Sequence, residues 1–88
     1  MAYSLEEVIE ATGESEAEIL RKGVASYVER ELREARVRVD ELRDTYGVEV
    51  PAEVGALIER GDVDEHPAWE DLIEWENLTT RIERLERL

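Results

Sequence analysis

The 88-residue chain contains no cysteine, no phenylalanine, one lysine and one histidine. The missing cysteine excludes a disulfide framework, a thiolate metal site and a thiol nucleophile, and it fits a reducing intracellular compartment. With His66 the only imidazole, and in a loop, the Glu-x-x-His pattern of di-iron bundles has nothing to complete it on a helix. No apolar run approaches the roughly 20 residues that cross a bilayer, and the first residues lack the basic-then-apolar pattern of an export signal. A soluble, cytoplasmic protein with no membrane partner is therefore expected. Large groups are few, with two Trp, three Tyr and one Met, so the core is thin. A chain of this length buries only about 60 to 65% of the surface its unfolded form exposes.

Basic charge is scarce and acidic charge abundant. Against 11 Lys and Arg stand 24 Asp and Glu, a net charge of −13, and Lys22 is the one cation that is not an arginine. Such a chain repels itself in dilute buffer, whereas at molar salt the Debye length falls to about 3 Å and the repulsion is screened. Thermophile proteins are also charge-rich, but their enrichment includes Lys as well as Glu. The composition thus predicts a halophilic, archaeal origin. Excess carboxylate disfavours direct binding of nucleic acid, which rests on Lys and Arg neutralising phosphates. A basic protein is the partner that the charge favours.

Four helices are expected, at about residues 4–11, 16–46, 51–60 and 67–87, in a single all-α domain over 1–88. Ser4 with Glu7, and Ser15 with Glu18, have capping-box spacing. Leu5, Val8 and Ile9 give the first helix an apolar face, and Thr12-Gly13 ends it. The second helix is about 45 Å long at 1.5 Å per residue and stops at Gly47. From Val28 its apolar residues step by four and three through Leu32, Ala35, Val39, Leu42 and Tyr46, a narrow seam that needs a facing helix, either in the same chain or in a second copy. Gly23, inside this rod, costs up to about 1 kcal/mol relative to Ala, tolerable where another backbone packs closely. Pro51 opens the third helix, with Val54, Leu57 and Ile58 inward and Gly61 as its stop. Pro67 opens the last, which carries Trp69, Leu72, Ile73, Trp75, Leu78, Ile82 and Leu85 as its apolar residues. Two narrow seams on rods too long for so short a chain to enclose predict two long and two short helices in a hairpin or bundle completed by dimerisation.

Little in the sequence supports catalysis. Ser4 and Ser15 are caps, Ser26 lies on a helix, and no second histidine is present to form a nucleophile–base pair. Asp62, Asp64, Glu65 and His66 form an acidic loop, but the glycine and distant bidentate Glu of a calcium loop do not follow. These anions are better read as sitting at the positive N-terminal end of the Pro67 helix. No enzyme activity, metal or cofactor is expected. Interfaces are anchored by aromatic residues with polar rims, so the last helix is assigned the partner site: Trp69, Trp75 or Leu78 as anchor, with Glu70, Asp71, Glu74 and Glu76 around it. For Trp75 the core is the equal alternative. DNA contact, the weaker reading, would fall to Arg21, Lys22, Arg30 and Arg33.

Ser15, Glu18, Ile19, Leu20, Arg21, Tyr27 and Val28 together resemble the second helix of ribbon-helix-helix regulators and antitoxins. That family's DNA-entering strand has no counterpart in residues 1–4. The segment Gly61-Asp-Val-Asp-Glu-His-Pro-Ala-Trp-Glu-Asp71, following a long helix that ends in Tyr46-Gly47-Val48, resembles small archaeal antitoxins. The resemblance implies a non-enzymatic inhibitor that binds and blocks a toxin, often one attacking RNA. The alternatives are a coiled-coil adaptor and a DNA-binding autoregulator.

Overall fold

Ser4 and Ser15 start their helices by the same device. In the computed structural model, which describes residues 2–88, the Ser4 hydroxyl accepts the Glu7 N–H at 3.1 Å and the Ser15 hydroxyl accepts the Glu18 N–H at 3.2 Å. Each bond satisfies a donor that a helix start leaves without an intrahelical partner. The helices so opened are α1 (Leu5–Thr12) and α2 (Glu16–Tyr46). The Glu18 carboxylate turns forward instead of back to the cap, pairing with Arg21 at 2.8 Å. The remaining helices are α3 (Pro51–Glu59) and α4 (Glu65–Glu86), and no strand occurs among the described residues. The fold is all-α.

Local chemistry also sets the helix ends. Gly47 has φ 64° and donates to the Arg43 carbonyl at 2.7 Å, and Gly61 has φ 75° and donates to the Ile58 carbonyl at 3.1 Å. Both stand in the left-handed region, which glycine adopts without a Cβ clash. At α4, helical hydrogen bonding reaches back to Glu65, two residues before the expected start. His66 interrupts it with extended angles (φ −114°, ψ 127°), because a residue preceding proline is pushed out of the helical region by the proline ring. The regular helix runs from Pro67.

Contacts group the chain into two compact units, one ending at Glu31 and one spanning Leu32–Leu88. The N-terminal unit holds α1 and the first turns of α2. Val8, Ile9 and Ile19 are half-buried there, and Lys22 pairs with Glu14. No described residue of this unit is buried: Leu20 is 55% exposed, Val24 63%, and Tyr27 is exposed too. A Cβ added to Gly23 would meet nothing within 4 Å, so none of the described residues packs against it there.

The C-terminal unit contains the core. Val39 and Leu42 of α2 join Val54 and Ile58 of α3 and Ala68, Leu72 and Trp75 of α4 in one cluster, edged by Tyr46, Val48, Val63, Leu78 and Ile82. Leu42 and Trp75 are each 1% exposed. Burial of one such side chain contributes about 1.5 to 3 kcal/mol. Within this unit α2 and α4 run antiparallel: Arg36 reaches Glu86 at 2.7 Å near one end, while Tyr46 reaches Asp71 at 2.5 Å near the other. The facing partner that the seam requires at Val39, Leu42 and Tyr46 therefore comes from the same chain. Ala35 is buried as well, and Val28 and Leu32 are half-buried. No helix among the described residues is long and apolar enough to cross a membrane.

Candidate functional site

Between residues 64 and 80 the sequence carries six carboxylates, Asp64, Glu65, Glu70, Asp71, Glu74 and Glu76, and neither Lys nor Arg. The helical period of α4 divides them between two faces. Asp71 and Glu74 turn toward α2, where Arg38 meets them. Its Nε and Nη2 donate to the two Glu74 oxygens, both at 2.8 Å, its Nη2 stands 3.6 Å from Asp71 Oδ1, and its Nη1 donates to Glu41 at 3.2 Å. The Tyr46 hydroxyl donates to the other Asp71 oxygen.

Each titration shift in this group has a visible cause. The Arg38 guanidinium holds the Glu74 carboxyl below its ordinary value, and Glu74, then Glu41, hold the guanidinium charged beyond its usual range. Tyr46 is pushed up to about 12, first by burial and then by the bond to Asp71. Arg38 joins Glu41 of its own helix to Asp71 and Glu74 of α4, so the group acts as a clamp between α2 and α4.

The other face of α4 is not drawn into the clamp. Trp69 is 45% exposed and Ile73, one turn on, is 56% exposed. Glu65, Glu70 and Glu76 are exposed on the same helix. The Glu70 carboxyl is lowered by its own backbone N–H and then by His66, whose Nδ1 lies 2.7 Å away. An apolar pair bordered by anions, with no cation on the helix before Arg81, is chemically suited to an apolar group flanked by Lys or Arg.

Of the seven residues assigned to partner binding, Trp69, Glu70 and Glu76 lie open to solvent. Trp75 lies in the core, six positions from Trp69 and so turned about 120° from it around the helix, and Leu78 packs half-buried beside it. Asp71 and Glu74 belong to the Arg38 clamp. Ile73, one of the apolar residues of the last helix but not assigned to partner binding, is exposed as well. Its spacing of four from Trp69 was the signal that could have placed it on the outer face. The residues offered for DNA contact are scattered among local partners: Arg21 on Glu18, Lys22 on Glu14, and Arg30 over the Tyr27 ring at 5.6 Å, with Arg33 exposed.

A cleft of about 530 Å³ opens in the C-terminal unit over Val39, Val50, Trp75 and Ile82. Its guanidiniums are paired in place, Arg36 with Glu86 at 2.7 Å and Arg43 with Asp40 at 3.1 Å, and the Thr79 hydroxyl on its wall donates to the Trp75 carbonyl. The Asp62–His66 loop is drawn apart by its own bonds, Asp62 to Arg60 and His66 to Glu70. Among the described residues no three His, Asp or Glu side chains converge as metal ligands would.

The chain belongs to the Uncharacterized protein MJ0235 family, whose model matches residues 1–88. No curated protein and no solved structure matches it.

Proposed function

We propose that this member of the MJ0235 family is a non-enzymatic protein-binding module that docks a basic partner on the outer face of α4; in the most specific form of this reading it is a halophilic antitoxin masking a co-encoded toxin. The observation that carries the proposal is the exposed Trp69–Ile73 pair, with Glu65, Glu70 and Glu76 exposed on the same helix and no Lys or Arg between residues 64 and 80. Aromatic anchors of this kind supply most of the binding energy at an interface, while the anions around them select the partner's sign.

Removal of α4 would also take Leu72 and Trp75 out of the core, so substitutions on its outer face give the cleaner test. The chain is co-expressed with the product of the adjacent gene, and binding is measured by calorimetry alongside rescue of growth. Trp69→Ala should weaken binding by about 2 kcal/mol or more, the range of an interface hot spot, without loss of helicity. Wild-type affinity in a Trp69→Ala, Ile73→Ser double variant would overturn the assignment.

A further inference from the structure

We infer that the N-terminal unit is a self-association surface, on which residues 16–30 of α2 pair antiparallel with the same residues of a second copy of the chain. The unit has no buried residue among those described, although Leu20, Val24 and Tyr27 form an exposed apolar row spaced by four and three. Helix α1, eight residues long, is too short to cover that row and is marginal without packing of its own.

Charge identifies the occupant. Along the α2 segment from Glu16 to Glu31 four carboxylates (Glu16, Glu18, Glu29, Glu31) stand with three cations (Arg21, Lys22, Arg30), a net −1, whereas the rest of the unit adds Glu6, Glu7, Glu10 and Glu14. On that segment of α2 a second copy meets little net repulsion. The order of the side chains goes further. Glu16, Gly23 and Arg30 are seven residues apart along one edge of the row, as Leu20 and Tyr27 are within it. When the helix is reversed about Gly23, Glu16 falls opposite the second copy's Arg30 and Arg30 opposite its Glu16, while Leu20 comes within one residue of its Tyr27, an offset of about 1.5 Å along the axis. Gly23 lies at the crossing, where the open space beside its backbone permits close approach.

Sedimentation equilibrium of the full-length chain, in the lowest KCl that gives full helicity, tests the pairing. The wild type should be a dimer. Val24→Glu should be a monomer with unchanged far-UV circular dichroism and with buried Trp75 fluorescence, because Val24 is outside the core. Glu16→Arg and Arg30→Glu should each weaken association about tenfold or more by setting like charges opposite one another, and the combined variant should return close to wild type. A wild type still monomeric at about 0.1 mM would overturn the inference, given the free energy such an affinity represents. So would a dimer that survives Val24→Glu, or charge reversals whose effects add instead of cancelling, as a parallel pair would give. Binding at Trp69 is measured separately and does not depend on the outcome.

Discussion

Leu20 and Leu42 lie on the same helix, α2, yet one is 55% exposed and the other 1%. Each belongs to an apolar row of similar spacing. The difference lies in what the rest of each unit supplies. In the C-terminal unit two further helices converge on the row, and one of them brings Trp75, the largest fully buried side chain. The N-terminal unit has only α1, and all the buried residues lie outside it. Apolar periodicity specifies which face of a helix wants cover. It does not provide the cover, which takes at least one facing element long enough to exclude water from several turns.

The sharpest way to break this contrast is to delete the two kinds of side chain and compare the same unfolding transition. Trp75→Ala should destabilise the C-terminal unit by about 3 to 5 kcal/mol and Leu42→Ala by about 2 to 5, measured by denaturant titration at fixed salt. Leu20→Ala should move that transition by less than about 0.5 kcal/mol, as surface substitutions do. A Leu20 variant as costly as Leu42 would erase the distinction between the units.

The Arg38 clamp comes next in size. Its side chains are about 40% exposed, so screening discounts the ion pair, and Arg38→Ala should cost about 1 to 2 kcal/mol despite the bidentate geometry. Glu74 has a lowered carboxyl in the folded state. Its contribution is therefore present above the unfolded carboxyl value and lost as pH falls through the folded one. The stability gap between wild type and Glu74→Gln should narrow as pH falls below the ordinary carboxylate range and close once the folded carboxyl is itself protonated.

Tyr46 should give a smaller effect than Arg38 and the opposite pH dependence. Tyr46→Phe removes a partly buried hydrogen bond and should cost about 1 kcal/mol at neutral pH. Because the folded Tyr46 is pushed up to about 12, its contribution is present below the ordinary tyrosine value and lost as pH rises between roughly 10 and 12. Thermal melts of the two proteins should converge over that interval. A gap unchanged at high pH would separate the hydroxyl from the clamp.

What the sequence made legible was local. Ser4, Ser15, Gly47, Gly61, Pro51 and Pro67 mark starts and stops through bonds and clashes that reach only a few residues, and the structure places helix ends within a residue or two of them. The row Val39–Leu42–Tyr46 was legible as a face seeking a partner, but not as one served by α3 and α4 of its own chain. Periodicity encodes direction around a helix and is silent about which helix arrives. The same limit applies to the candidate site. That Trp69 and Trp75 face different ways follows from their spacing, but which of them turns inward depends on where α2 lies. Asp71 and Glu74 looked like members of an acidic rim because Arg38, 36 positions from Glu74, carries no local sign of the pairing.

Arg38 has a consequence for how this sequence can drift. Most of the chain's carboxylates are exposed, and a substitution at one of them alters a charge that solvent already screens. Position 38 is different, because one planar guanidinium answers Glu41, Asp71 and Glu74 together, and a lysine there would offer a point charge in place of a two-pronged fit. Each carboxylate it holds would be left beside its like if the arginine went first. Across relatives, positions 38, 71 and 74 should thus be inherited as a set, exchanging together or standing still while the surrounding acidic surface turns over, and a pair of positions 36 residues apart should covary as neighbours do.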